Sequence, residues 1–171
     1  AERMRSVSRA DLAEVLEHNN QAVPAVNELA MADLESFVEM AHSFLVIDAP
    51  DGSIAGFMIG ITGPGMPYDS MNYAWFSARY ESFIYVDRIV VAASGRGLGV
   101  GSQLYAAFAD RGVADGFDVM LAEVNIRPRN DVSLAFHDAR GFVSVGEQDT
   151  DGGAKRVTML EKSLDGFAPA I

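Results

Sequence analysis

The chain has no cysteine among its 171 residues. No disulfide framework, thiolate metal site or cysteine nucleophile can be part of its chemistry. Histidine is almost as scarce: His18, His42 and His137 are the only three, and since they follow no metal-ligand spacing, no bound metal is expected. Positive charge is in short supply as well, with 13 Lys and Arg against 24 Asp and Glu and a formal charge of −11. That surplus opposes binding to phosphate backbones, which argues against nucleic acid as a partner and favours cationic ones. Long apolar runs are missing too. The longest uncharged stretch, residues 52–68, is interrupted by Gly56, Gly60, Gly63, Pro64, Gly65 and Pro67, so it makes no membrane helix, and no membrane partner is expected. Ala1-Glu2-Arg3-Met4-Arg5 lacks the apolar core of a secretion signal, and the expected location is cytoplasmic.

What is present is material for a packed core. Apolar residues make up 49% of the chain, nothing resembles a linker or repeat, and a single domain over residues 1–171 is expected. Residues 3–7 alternate like a short strand. Ser8 or Asp11 then caps a helix carrying Leu12, Val15 and Leu16, which Pro24 ends or kinks. A second helix is predicted over 31–42 from the stripe Leu34, Phe37, Val38 and Ala41. Two strands follow over 43–48 and 54–62, on either side of an Ala49-Pro50-Asp51-Gly52 turn. The β-branched and aromatic run over 83–91 reads as a central strand. After it come a helix with Leu104, Phe108 and Val113, a strand over 119–124, and a helix from Asn130 to Arg140 that Gly141-Phe142 ends. A hairpin of 142–146 with 156–161 across Asp151-Gly152-Gly153 closes the chain. This order predicts a three-layer α/β fold on a mixed sheet.

Between the central strand and its helix stands Arg96-Gly97-Leu98-Gly99-Val100-Gly101-Ser102. Three glycines in five residues are entropically costly, so something approaches the backbone closely there. Free N–H groups at the helix start would face it, and the helix dipole favours an anion such as a pyrophosphate. On the glycines alone, a close-packed strand-to-helix turn is an equally good reading. A dinucleotide site is the obvious competitor, because Gly97-x-Gly99-x-x-Ser102 approximates its fingerprint with Glu123 about twenty residues on. Its position argues against it, since too little chain remains for the further crossovers such a fold needs. No Lys-Ser or Lys-Thr follows the last glycine, so the nucleotide P-loop fails as well.

Two motifs carry a family resemblance. Arg96-x-x-Gly99-x-Gly101 matches a Gln/Arg-x-x-Gly-x-Gly/Ala pattern, and Asn130-x-x-Ser133-x-x-Phe136-His137-x-x-x-Gly141-Phe142 matches Asn-x-x-Ala/Ser-x-x-Phe/Leu-Tyr-x-x-x-Gly-Phe. In this order they resemble the GNAT superfamily of N-acetyltransferases, over roughly residues 83–146. The resemblance implies a GNAT-like fold with a mostly antiparallel central sheet flanked by helices, and acetyl-CoA as the acyl donor. It implies that the pantetheine arm lies along Ile89, Val90 and Val91 as an added strand, held by main-chain hydrogen bonds. Arg96, Gly97, Leu98, Gly99, Val100, Gly101 and Ser102 would then cradle the pyrophosphate. Asn130 stands where a side chain touches the cofactor, though a bare helix cap explains it equally well.

Acetyl transfer to an amine needs a neutral nitrogen and a protonated leaving thiolate. A lysine-like ammonium has a reference pKa of about 10.4 and a thiol about 8.5, so a base and an acid both help near neutral pH. The family's usual acid is a tyrosine at the place of His137. Imidazole could donate the proton, or His137 could simply pack near the sheet. For the base, Glu123 and Asp87 compete, each with a structural ion pair to Arg88, Arg127 or Arg129 as its alternative. Asp87 shares a strand face with Tyr85, Ile89 and Val91, while Arg88 faces the other way. The segment over 63–80 holds the only Trp and three of the five tyrosines. Either a short helix packs over the sheet there, or Tyr68, Tyr73, Trp75 and Phe76 wall an acceptor pocket. The expected activity is acetyl-CoA-dependent N-acetylation, by direct transfer, of a primary amine on a small molecule or protein. An acyl-CoA-binding module without turnover and a nucleotide-dependent oxidoreductase are the alternatives. A homodimer stays open.

Overall fold

The computed structural model describes residues 3–164. In chain order it has β1 (Arg3–Ser6), α1 (Leu12–Gln21), α2 (Met31–Met40), β2 (Ser43–Asp48), β3 (Ile54–Gly63), α3 (Met71–Ser77) and β4 (Phe83–Val91). Then follow α4 (Val100–Ala114), β5 (Val119–Arg127), α5 (Asp131–Ala139), β6 (Val143–Thr150) and β7 (Lys155–Ser163). Hydrogen bonding orders the strands β1-β2-β3-β4-β5-β7-β6. The β4/β5 pair is parallel, and the β1/β2, β2/β3, β5/β7 and β6/β7 pairs are antiparallel. This is the mixed, mostly antiparallel sheet that the sequence predicts.

The chain forms two compact units, and each is described by itself. The first comprises Ala1–Ile61 and Asp87–Arg111. All of β2 except Asp48 is buried, which is why its sequence is a continuous apolar run rather than an alternating one. Leu12 and Val15 of α1 and Leu34 and Phe37 of α2 are buried with it. Val38, expected on the same stripe, is only partly covered. Helix α4 comes so close to β3 that a Cβ on Gly56 would lie 2.6 Å from Val100 Cγ1. The entrance to α1 is clasped by Arg5, whose guanidinium donates to Asp11 at 2.7 Å and to Asp48 at 2.7 Å. Those bonds hold the Asp11 carboxyl at about 2, below its usual range. Helix α1 ends at Gln21, before Pro24, and α2 ends at Met40, two residues short of the expected limit.

The second unit comprises Thr62–Val86 and Gly112–Ile171. Its centre is a cluster of rings: Tyr73, Phe76, Phe83 and Tyr85 stack edge-on or tilted, with centroids 5.7 to 6.4 Å apart. Such pairs add about 0.5–1.5 kcal/mol each to the burial of the rings. Helix α3 is therefore the short packed helix that was one of two readings of the aromatic segment. Ser70 starts it, its Oγ accepting from the Tyr73 N–H at 3.2 Å. Strand β6 runs to Thr150, well beyond the expected end at Gly146, and pairs with β7 along its length with one bulge between Ser144 and Gly146.

Candidate active site

The glycine loop belongs to the first unit. A short 3-10 turn, Ala93–Gly95, precedes it, and Ala92 N–H donates to Ala55 O at 2.8 Å to anchor the end of β4 on β3. Within the loop Gly97 has φ +78° and Gly99 φ +69°, a region that side-chain-bearing residues rarely enter. Nothing lies within 4 Å of where a Cβ on Gly97 would stand, and only Gln103 Nε2, at 4.0 Å, is near that of Gly99. Close packing therefore does not account for these two glycines: they turn the backbone and leave open space beside it. Gln103 N–H donates to Gly99 O at 3.1 Å, and Gln103 Nε2 donates to Leu98 O at 3.1 Å. The α4 ladder starts at that first bond, so the N–H groups of Gly99, Val100 and Gly101 stand ahead of it, in the arrangement that receives an anion. Arg96, Gly97, Leu98 and Gly99 are exposed, Ser102 is half-buried, and Val100 and Gly101 are buried beneath them. Upstream, Ile89 is half-buried, Val90 buried and Val91 exposed.

Asp87 takes the structural reading. Its Oδ2 accepts from Arg88 Nε at 2.8 Å, with both side chains 4% exposed. By strand alternation these neighbours point to opposite faces, yet the long guanidinium arm curls back to its predecessor. Arg88 also donates to Asn19 Oδ1 at 3.0 Å and to Asn27 Oδ1 at 2.7 Å. Asp87 thus helps seat a buried cation that ties β4 to α1 and the segment after it.

Glu123 has a different setting, in the second unit. Its Oε1 accepts from the Tyr85 hydroxyl at 2.7 Å and from Asn72 Nδ2 at 3.2 Å. Asn72 Oδ1 in turn accepts from Gln148 Nε2 at 3.0 Å. A half-buried carboxylate fixed in this way can take a proton from, or hold, a cationic group. The sequence singles out Glu123 and Tyr85 as candidates, but not Asn72 and Gln148. Spacing carries no signal for them, because they meet only through the tertiary fold.

His137 is 4% exposed, with Phe136 and Phe142 against its ring. Its Nδ1–H donates to Ser133 O at 2.7 Å, so the neutral ring carries its proton on that nitrogen. Burial, aided by the nearby Arg140 charge, pushes its pKa down, and the Ser133 hydrogen bond only partly opposes this. A neutral imidazole whose one N–H is held by a carbonyl is poorly equipped to protonate a leaving thiolate. Asn130 serves as the α5 cap, its Oδ1 accepting from Ser133 N–H at 3.1 Å.

Of the two readings of the aromatic segment, the rings' surroundings favour packing. Phe76 is fully buried, and Tyr73 is buried with its hydroxyl donating to Thr62 O at 2.9 Å. Trp75 is no free platform for an ammonium either: Arg79 lies over its ring at 3.7 Å, and a Cβ on Gly146 would lie 2.5 Å from its edge. These three rings pack the protein's own chain. Tyr68, half-buried and edge-on to Tyr73 at 5.7 Å, is the remaining accessible aromatic of the four.

Among the described residues no group of three or more His, Asp or Glu side chains is placed to hold a metal, and no helix is long and apolar enough to cross a membrane. The sequence profile of the acetyltransferase (GNAT) family matches residues 9–142. No curated protein sequence matches the chain significantly. The structure resembles that of an N-acetyltransferase from Staphylococcus aureus Mu50, with a TM-score of 0.71 at 20% identity over 96% of this chain and 99% of that one. It also resembles a Salmonella typhimurium protein solved with its cofactor acetyl-CoA, with a TM-score of 0.71 at 19% identity over 100% and 98% of the two chains. A third likeness is to the ribosomal-protein-S18-alanine N-acetyltransferase from Escherichia coli, with a TM-score of 0.69 at 15% identity over 96% and 94%.

Proposed function

The chain belongs to the GNAT acetyltransferase family, and from that premise we propose that it transfers the acetyl group of acetyl-CoA directly to a primary amine of a small molecule or protein. The observation that carries this reading is the loop before α4, with its two left-handed glycines and the open space beside them. The loop fits a pyrophosphate: successive N–H groups at a helix start offer several donors, and the missing side chains let the phosphates approach. Main-chain groups of Ile89, Val90 and Val91 hold the pantetheine arm, as an extended peptide-like chain is held by a strand.

Glu123 is the base in this reading. It takes the proton that the ammonium loses, the neutral nitrogen attacks the thioester carbonyl, and the carbon–sulfur bond breaks to release the thiolate of CoA as the new amide nitrogen gives up its second proton to water. Proximity of the two bound substrates contributes much of the rate. The thiolate takes its proton from water, since the His137 N–H is committed to Ser133.

That same commitment favours a second reading, in which the protein binds acyl-CoA without turnover. Thiol release from acetyl-CoA across a panel of primary amines separates the two. Turnover with at least one amine, lowered about 10²- to 10⁴-fold by Glu123→Gln, is the expected result. Stabilisation by acetyl-CoA with no thiol release from any amine would instead establish the binding module.

A further inference from the structure

The second unit contains a polar chain that links three elements, of which the proposed chemistry uses only one end. Gln148 on β6 donates to Asn72 on α3, and Asn72 donates to the Glu123 carboxylate on β5. A side-chain amide has one accepting and one donating end. Because Gln148 Nε2 holds Asn72 Oδ1, the NH₂ of Asn72 is the end left for Glu123; a flipped amide would set donor against donor at Gln148 and acceptor against acceptor at Glu123. Helix α3 is seated on β6 by a neighbouring contact as well. Trp75, three residues after Asn72, lies against Gly146, two residues before Gln148. Three residues on a helix and two on a strand keep to one side of each element, so the polar and the apolar contact reinforce one register.

We propose that Asn72 is a positioning residue for the Glu123 carboxylate, with Gln148 fixing the direction of the Asn72 amide. Its catalytic consequence rests on the reading of Glu123 as the base. A donor from a second element, beside the Tyr85 hydroxyl, narrows the carboxylate's rotation about its last torsion and favours its ionised form. Titratable groups also stand on the neighbouring elements; on α5, packed against β5, are Asp131, Asp138 and His137, the last bonded through Nδ1 to Ser133 O. Helix α3 has no charged residue from Met71 to Ser77. On β4 stands Tyr85, and two residues on is Asp87 in its ion pair with Arg88. On β7, Met159 is opposite Glu123, and Glu161, two residues further, is close enough to Tyr80 to help push that phenol's pKa up. On β6, Glu147 and Asp149 flank Gln148 and are bonded to Arg156.

The test is a titration of Glu123 by NMR of protein labelled with ¹³C-glutamate, assigned with Glu123→Gln. Asn72→Ala should raise the midpoint by about one unit, because the ionised form loses a donor. Asn72→Asp, nearly isosteric, should raise it further by placing a like charge beside it, and Gln148→Ala should give a smaller rise than Asn72→Ala. Thiol release from acetyl-CoA with phenethylamine, tyramine and cadaverine is followed in the same proteins, and the acid limb of kcat/KM should move to higher pH in the same order. A Glu123 midpoint equal to wild type in both Asn72 variants overturns the proposal, and one equal to wild type in Gln148→Ala alone removes Gln148 from it. Shifted midpoints with no thiol release from any protein, wild type included, support the positioning of Glu123 while sinking its role as the base.

Discussion

At the scale of single residues, burial decides which side chains remain available for chemistry. His137 is the clearest case, because its place in the helix motif suggests an acid while its surroundings keep it neutral. Its folded pKa lies below the unfolded value near 6.5, so the unfolded chain binds a proton more readily. The stability this residue contributes is therefore complete above about pH 6.5 and declines as pH falls from there toward the folded pKa. His137→Phe should lose less stability than wild type between neutral and mildly acidic pH, with thiol release at neutral pH little changed; urea midpoints and initial rates across that range would show it. A large fall in turnover at unchanged stability would return His137 to the catalytic machinery. Glu123 could be suspected from the sequence as a carboxylate within an apolar strand. Its partners could not, since Tyr85 and Asn72 are 38 and 51 positions away in the chain. Trp75 shows a related limit: composition gives an aromatic ring but not the Arg79 that covers it.

At the scale of elements, legibility follows burial. Strands such as β2, covered on both faces, announce themselves by composition, and their expected limits hold. Strand β6 does not: after Gly146 it continues through Glu147, Gln148 and Asp149, residues with low strand preference, held by pairing to β7 and by ion pairs to Arg156. The loop before α4 was legible as glycines and incomplete as geometry, because the signs of φ at Gly97 and Gly99 come only from the folded chain. A branched residue at Gly99 must adopt a left-handed backbone, costing about 1–2 kcal/mol, or shift the loop. Gly99→Val should therefore abolish the thermal stabilisation expected from acetyl-CoA under the proposed function, about 2.7 kcal/mol at 100 times the dissociation constant. Differential scanning fluorimetry with and without acetyl-CoA reads this directly, and a shift as large as that of wild type would exclude the loop as the phosphate site.

At the scale of the whole molecule, a charge of −11 acts on both proposed substrates before either is bound. It attracts a cationic amine and repels the anionic acyl donor, and both effects shrink as the screening length falls to about 8 Å at physiological ionic strength. Raising salt should therefore increase KM for the amine and lower it for acetyl-CoA. Shifts of the same sign would mean that local groups, not net charge, govern encounter. The turn between β6 and β7 has a consequence of another kind, for the order of assembly. Asp151, Gly152 and Gly153 all have positive φ, so the chain is bent back within a four-residue connection that Ala154 completes. Joining β5 to β7, by contrast, pairs Val119 with Ser163 and closes a far longer loop. Loop closure costs more entropy the longer the loop, so this local hairpin is expected to be structured when the rest of its unit is still searching. In stopped-flow folding, Gly153→Ala should then act mainly by slowing the refolding limb, leaving the unfolding rate close to wild type.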